Sequence, residues 1–224
     1  MKKISNYFRV ICCAAALGMP VVTGPMGCSS MYYAAWSKLG YEKRDILVSR
    51  VTEARDDQTA AKQQFKTTLD QFKELTGFTG GDLEAEYKKL KSSYESCQDR
   101  ASAVSSKITS VDKVANAMFD EWTKELDDYH DASLRAASEQ KLNDSKARYA
   151  QLLAAMRNSE AKMKPVLDAF EDRVHFLRDN LNAAAISSLS NTSAGINDDV
   201  QNLIKDMDAS INEANAFIDN MKKT

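Results

Sequence analysis

The sequence predicts an all-α protein, an elongated antiparallel bundle of long coiled-coil-like helices, on three observations. Helix breakers are scarce: beyond residue 27 the 224-residue chain keeps one proline, Pro165, and five glycines, Gly40, Gly77, Gly80, Gly81 and Gly195. Apolar residues recur at alternating spacings of three and four over tens of residues, the 3.5-residue repeat of coiled-coil packing. The few interruptions of that repeat are short and rich in turn and capping residues.

The first helix is expected over 31–75, with Leu47, Val51, Ala54, Gln58, Ala61, Phe65, Thr68, Phe72 and Leu75 as its inward seam. The charge-rich stretch Tyr41 to Asp57 around it reads as a solvated face with the apolar stripe turned inward. Thr76 to Asp82, sequence TGFTGGD, then supplies glycines to stop one helix and an aspartate to cap the next. Glu84 and Glu86 stand well placed against the dipole of a second helix over 82–130. Its seam runs Leu83, Tyr87, Leu90, Tyr94, Cys97, Ala101, Val104, Ile108, Val111, Ala115, Met118 and Trp122. Thr109-Ser110 resembles a capping pair, but the repeat passes through it unbroken, so it is read as a kink.

Asp131 to Ser133 forms a tight corner before a third helix, 133–189. Its seam is Leu142, Ser145, Tyr149, Leu152, Met156, Ser159, Met163, Val166 and Phe170, then, after a slip of one residue, Val174, Leu177, Leu181 and Ala184. Pro165 lies in phase and is read as a second kink. Ser190 to Gly195 is expected as a polar turn, leading to a short fourth helix, 196–222, with Ile196, Val200, Leu203, Met207, Ile211, Ala214, Ile218 and Met221 inward. At about 1.5 Å per residue these lengths bring the corners at 76–81 and 190–195 to one end and the 131–133 corner to the other. They predict a rod three helices thick near the 131–133 end and four thick at the far end.

The N-terminus carries an address. Lys2, Lys3 and Arg9 precede an apolar run from Val10 to Val22, about 13 residues, too short to span a bilayer and laid out like a secretory signal. Gly27, Cys28, Ser29 and Ser30 follow, which resembles a bacterial lipoprotein signal whose cysteine thiol receives diacylglycerol. Pro25 and Met26 depart from that pattern, which usually has Leu three residues before the cysteine. Lipidation of Cys28 is therefore the expectation, and cleavage near Gly24 or Gly27 with a free Cys28 is the alternative. The domain division is a signal peptide over 1–27 and a single elongated bundle over 28–224. Ser29 in place of Asp is a sorting choice similar to that of outer-membrane lipoproteins. The expected location is thus the cell envelope, lipid-anchored at the outer membrane and facing the periplasm. Tyr32, Tyr33, Trp36 and Tyr41 crowd behind the anchor; Tyr32, Trp36 and Leu39 have helical spacing that favours burial over contact with lipid headgroups.

Cys12 and Cys13 leave with the signal, and a thioether at Cys28 would leave Cys97 alone on its seam, as a small buried hydrophobe. Without residues 1–27 the chain has 27 Lys and Arg against 32 Asp and Glu. No long basic block occurs, which argues against nucleic acid as a partner.

Little points to catalysis. Asp127-Asp-Tyr-His130 and Asp172-Arg-Val-His175 each place a carboxylate three residues before a histidine, as the paired motifs of di-iron bundles do with glutamate. About 45 residues of mostly helix, roughly 65 Å, separate the two histidines, so they cannot share an ion within one chain. No phosphate-binding loop and no G-x-S-x-G elbow occurs. The expectation is a protein that is not an enzyme, with no catalytic residue, no cofactor and no metal.

The strings MYYAAWSKLGYEKRDILVSRV, FTGGDLE, AMFDEW, ARYAQLLAAM and PVLDAFEDRVHFLRDNLNAAAISSL are similar to a family of bacterial lipoproteins catalogued as domain of unknown function 2959. The resemblance covers residue 31 to about residue 220. It implies a helical, coiled-coil-rich envelope protein and brings no established activity, hence no catalytic residues. The function expected is that of a scaffold, spacer or adaptor, held to the membrane by its N-terminal lipid and contacting an envelope protein partner. A membrane-active bundle that inserts into or remodels lipid is the alternative, and an enzyme or metal-binding bundle the third. Seams of this kind also serve homo-oligomers, so intrachain and interchain packing both stay open.

Overall fold

The computed structural model describes residues 43–223, within the compact unit Tyr41–Thr224. The signal segment, Cys28 and the expected helical start over 31–42 lie outside the described residues. Four long helices follow in order: α1 Lys43–Thr76, α2 Leu83–Glu125, α3 Ala132–Asp179 and α4 Ala183–Lys223. A single 3-10 turn, Leu126–Asp128, ends α2, and no strand occurs among the described residues. α1 packs on α2, α2 on α3, α3 on α4 and α4 back on α1. With turns of only a few residues between them, this is an up-down-up-down four-helix bundle.

The heptad seams form the core. All nine seam positions of α1 are buried, including the polar Gln58 and Thr68. On α2 the seam is buried from Leu90 to Met118, and only its end members Leu83, Tyr87 and Trp122 are partly exposed. On α3 every seam residue from Leu142 to Leu177 is buried except Ser145.

The caps work as their residue types dictate. The Asp82 side chain accepts a hydrogen bond from the Ala85 amide at 3.1 Å and opens α2. Asp131 accepts from the amides of Ser133 and Leu134 at 2.7 and 3.2 Å and opens α3. The Ser133 hydroxyl bond first, then the two amide bonds, hold the Asp131 carboxyl below the usual carboxylate range. Gly81, at φ +125°, takes a conformation that side chains resist, and so fixes glycine in the 77–82 turn. Neither internal interruption reverses the chain. The Thr109 hydroxyl donates back to the Ser105 carbonyl at 3.0 Å in place of capping, and Pro165 sits inside α3 on its exposed side. There the carbonyl that loses its amide partner faces water.

The last turn and the last helix differ from expectation. α3 ends at Asp179, and α4 begins at Ala183 and runs unbroken through Ser190 to Gly195. Asn182 caps α4 by accepting from the Ala185 amide at 3.0 Å. Leu181 and Ala184, assigned to the third seam, are therefore not core; they are partly exposed and exposed. The physical reason is that the seam never stops. Ile186, Leu189, Ser193, Ile196, Val200, Leu203, Met207, Ser210, Ala214, Phe217 and Met221 keep spacings of three and four throughout, and a continuous apolar stripe outweighs a run of small polar residues. In this phase Ser210 is buried where Ile211 was expected, and Ile211 is partly exposed. α4 has 41 residues, so the bundle is not thinned to three helices toward its 126–131 end.

Gly195 lies mid-helix, and a methyl group there would meet nothing within 4 Å. Gly195→Ala is therefore expected to raise stability by about 0.8 kcal/mol, the helix-propensity difference. Thermal melts of the two proteins read this directly, and a loss of stability would restore a turn at this position.

Candidate functional site

Cys28, the expected lipidation site, lies outside the described residues. The two histidines are far apart. His130 is exposed in the corner before α3, whereas His175 is exposed near the opposite end of α3. Asp127 pairs with Arg135 at 3.3 Å, away from any metal-like grouping. Among the described residues no three His, Cys, Asp or Glu side chains converge as metal ligands would, and no helix is long and apolar enough to cross a membrane.

The charged stretch of α1 does more than face solvent. Lys43 pairs with Glu121 and Glu125 of α2, and Glu53 receives both Arg50 at 3.0 Å and Lys107 of α2 at 2.8 Å. The Lys107 bond, with help from Arg50, holds the Glu53 carboxyl below its ordinary value. Arg55 reaches Asn215 of α4 at 3.1 Å, and Lys62 reaches Asp208 at 2.5 Å. These partly exposed pairs fix which helix sits beside which more than they add stability.

One open groove of about 540 Å³ lies between α1 and α2, lined by residues such as Gln64, Thr67, Gln71, Lys88 and Lys89. Most of its polar groups are already engaged within the same two helices. Gln64 Nε2 donates to Ser93 Oγ at 2.9 Å, Thr67 to the Gln63 carbonyl, Ser96 to the Ser92 carbonyl, Lys88 to Glu84 and Lys89 to Glu86. The Gln71 amide oxygen is buried without a partner. No histidine, cysteine or carboxylate lines the groove, so it brings together none of the residue types that general acid–base chemistry most often uses.

The polar groups that matter structurally lie inside. Gln58 of α1 donates through Nε2 to Ser159 of α3 at 3.2 Å and accepts from the Ser210 hydroxyl of α4 at 2.9 Å; Ser159 in turn donates to the Met156 carbonyl. Gln58, Ser159 and Ser210 are all fully buried, so one satisfied layer ties three helices at a single level. Thr68 of α1, Ser93 and Cys97 of α2 make a second layer, with Thr68 Oγ1 at 2.7 Å from Ser93 Oγ and 3.1 Å from Cys97 Sγ. Toward the 126–131 end, the Tyr149 hydroxyl donates to Asp112 at 2.8 Å while its ring packs edgewise on Phe119 and Phe217. Burial, then the Asp112 carboxylate, raises the Tyr149 phenol well above its ordinary value. Gln58, Thr68 and Ser159 stand in the sequence seams as polar interruptions. Their meeting across helices follows only once the register is known, and Ser210 enters only with the corrected phase of α4.

Cys97 occupies the buried position its seam predicts. Desolvation pushes its thiol up to about 12, only partly opposed by the Thr68 hydroxyl. In the folded protein Cys97 is expected to stay inert to an aromatic disulfide reagent at pH 8 and to react within minutes once denaturant opens the bundle. Rapid native reaction would mean that the α1–α2 seam opens readily.

No curated protein and no solved structure matches the chain. The family model described as "Protein of unknown function (DUF2959)" matches residues 32–221, and the chain belongs to that family.

Proposed function

We propose that this protein is a lipid-anchored component of the bacterial cell envelope that acts by contact as a scaffold or adaptor, without catalysis. The observation that carries this reading is a bundle whose interior is filled by side chains and whose outer faces are long, charged and crossed by helix-to-helix ion pairs. Such a body offers extended surfaces to a partner. Its two histidines lie far apart, toward opposite ends of α3, so they cannot act on one substrate group as a pair. The lipoprotein-type signal ending at Cys28 supports attachment at the N-terminal side, through the chain that enters α1 at Lys43. Periplasmic exposure on the outer membrane is part of the same proposal and rests on Ser29.

Crosslinking in intact envelopes followed by pull-down tests it. The reading expects one or a few envelope proteins, recovered in constant ratio and lost when exposed helix faces are recharged; background alone would overturn it. Replacing His130 and His175 together is expected to leave those crosslinks unchanged.

A further inference from the structure

We infer that roughly the first three and a half turns of α4, residues 183–195, form a strap that opens on its own, with Gly195 as its hinge, while the rest of the bundle stays folded. Four independent observations converge on this segment. The first is register. Arg55 faces Asn215 and Lys62 faces Asp208, so the antiparallel α1–α4 pairing puts Thr76, the last residue of α1, opposite about Ala194. The strap therefore runs on past the end of α1 and lies over the 77–82 turn end of the bundle.

The second is charge. Residues 180–197 contain no Asp, Glu, Lys or Arg, so no side-chain ion pair can tie the strap down. The ion pairs and side-chain hydrogen bonds at Asp206, Asp208, Ser210 and Asn215, which tie α4 across to its neighbours, lie in its C-terminal part. The third is propensity. Ser187, Ser188, Ser190, Asn191, Thr192, Ser193 and Gly195 all rank below alanine as helix formers, and the helix they build depends on tertiary support. That support is thin: of the described side chains between 183 and 195, Ala185, Ile186 and Leu189 are buried, against Ile196, Val200, Leu203, Ile204, Met207, Ala214, Phe217, Ile218 and Met221 farther on. The fourth is the hinge. Gly195 is the one residue of α4 without a side chain, it contacts nothing at the Cβ position, and glycine accommodates backbone change at least steric cost.

Segments with few buried apolar contacts open sub-globally, at a free energy below that of unfolding the whole domain. The Lys162–Asp206 pair sets Leu177 of α3 opposite about residue 191, so when this strap opens the end of the apolar interior near Leu177 loses its cover. The bundle then has a conformational gate at its 77–82 end and a fixed body elsewhere.

Native-state hydrogen exchange of the intact chain, read by mass spectrometry on peptides, tests the inference with two mild variants. In the unaltered chain, peptides within 183–195 are expected to exchange at least about 100-fold faster than those within 200–221, after correction for intrinsic rates. Ile108→Val weakens the bundle body far from the strap. It is expected to speed 200–221 about fivefold and leave 183–195 unchanged, because strap opening does not break the Ile108 contacts. Gly195→Ala is expected to slow 183–195 about fourfold. Equal protection of the two segments would overturn the inference. So would a parallel acceleration of both by Ile108→Val, or strap exchange that is indifferent to Gly195→Ala.

Discussion

Phe170→Ala is expected to lower the stability of the bundle by about 3 to 5 kcal/mol, read as a shift of the urea midpoint at constant slope. Phe170 is fully buried on α3 and is among the largest side chains in the interior. It also stands where the seam steps by four residues twice, from Val166 to Phe170 and from Phe170 to Val174. Such a stutter locally unwinds the supercoil and changes how side chains meet at the interface. An aromatic ring can fill that space, and alanine would leave it empty. One turn on, the Arg173 guanidinium lies 5.8 Å from the Phe72 ring of α1 and bonds the Ala169 carbonyl at 2.7 Å, so α1 and α3 approach here. Phe170→Leu, which keeps most of the volume, should cost about a third as much. A loss below about 1 kcal/mol for the alanine variant would mean that α3 does not pack in this register.

The second large effect concerns the buried polar layer. Gln58→Leu keeps the volume but removes the donor to Ser159 and the acceptor of Ser210, and is expected to cost about 1 to 3 kcal/mol. The informative comparison is Gln58→Leu with Ser159→Ala and Ser210→Ala together. Removing every member of the layer leaves no group unsatisfied, so the triple variant should recover most of the loss. Its expected defect is in uniqueness: a bundle without its one layer spanning α1, α3 and α4 loses a strong reason to hold that register. Broadened NMR signals at near-normal stability would show this. A triple variant as unstable as the sum of the single changes would instead mean that the three residues act separately.

Most of the fold is legible in the sequence, because a long heptad seam constrains each helix at many points. In α1 nine of the ten buried positions from Leu47 to Leu75 lie on the repeat, polar Gln58 and Thr68 included; Leu69, buried beside Thr68, lies off it. The Asp82 and Asp131 caps are equally local signals. The one misplaced turn shows where local signals mislead. Ser190 to Gly195 has turn composition, whereas the true break, Asn180 to Asn182, has no glycine or proline and depends on asparagine capping. The seam of α4 continues backward through Ser193 and Leu189 to Ile186, and this spacing is a stronger signal than composition. Pairings between helices are a different matter. Gln58 with Ser159 and Ser210, or Tyr149 with Asp112, join residues tens of positions apart, and they depend on the axial stagger of one helix against the next. A seam read helix by helix does not contain that stagger.

The central claim is that a lipid at Cys28 holds this bundle in the envelope, where it acts by contact. The intact mass of the protein extracted from the membrane fraction tests it most directly. The account predicts a chain beginning at Cys28 and carrying diacylglycerol plus an acyl group. A chain beginning there or nearby without lipid would contradict it, leaving a protein with a free thiol at Cys28 in place of an anchor.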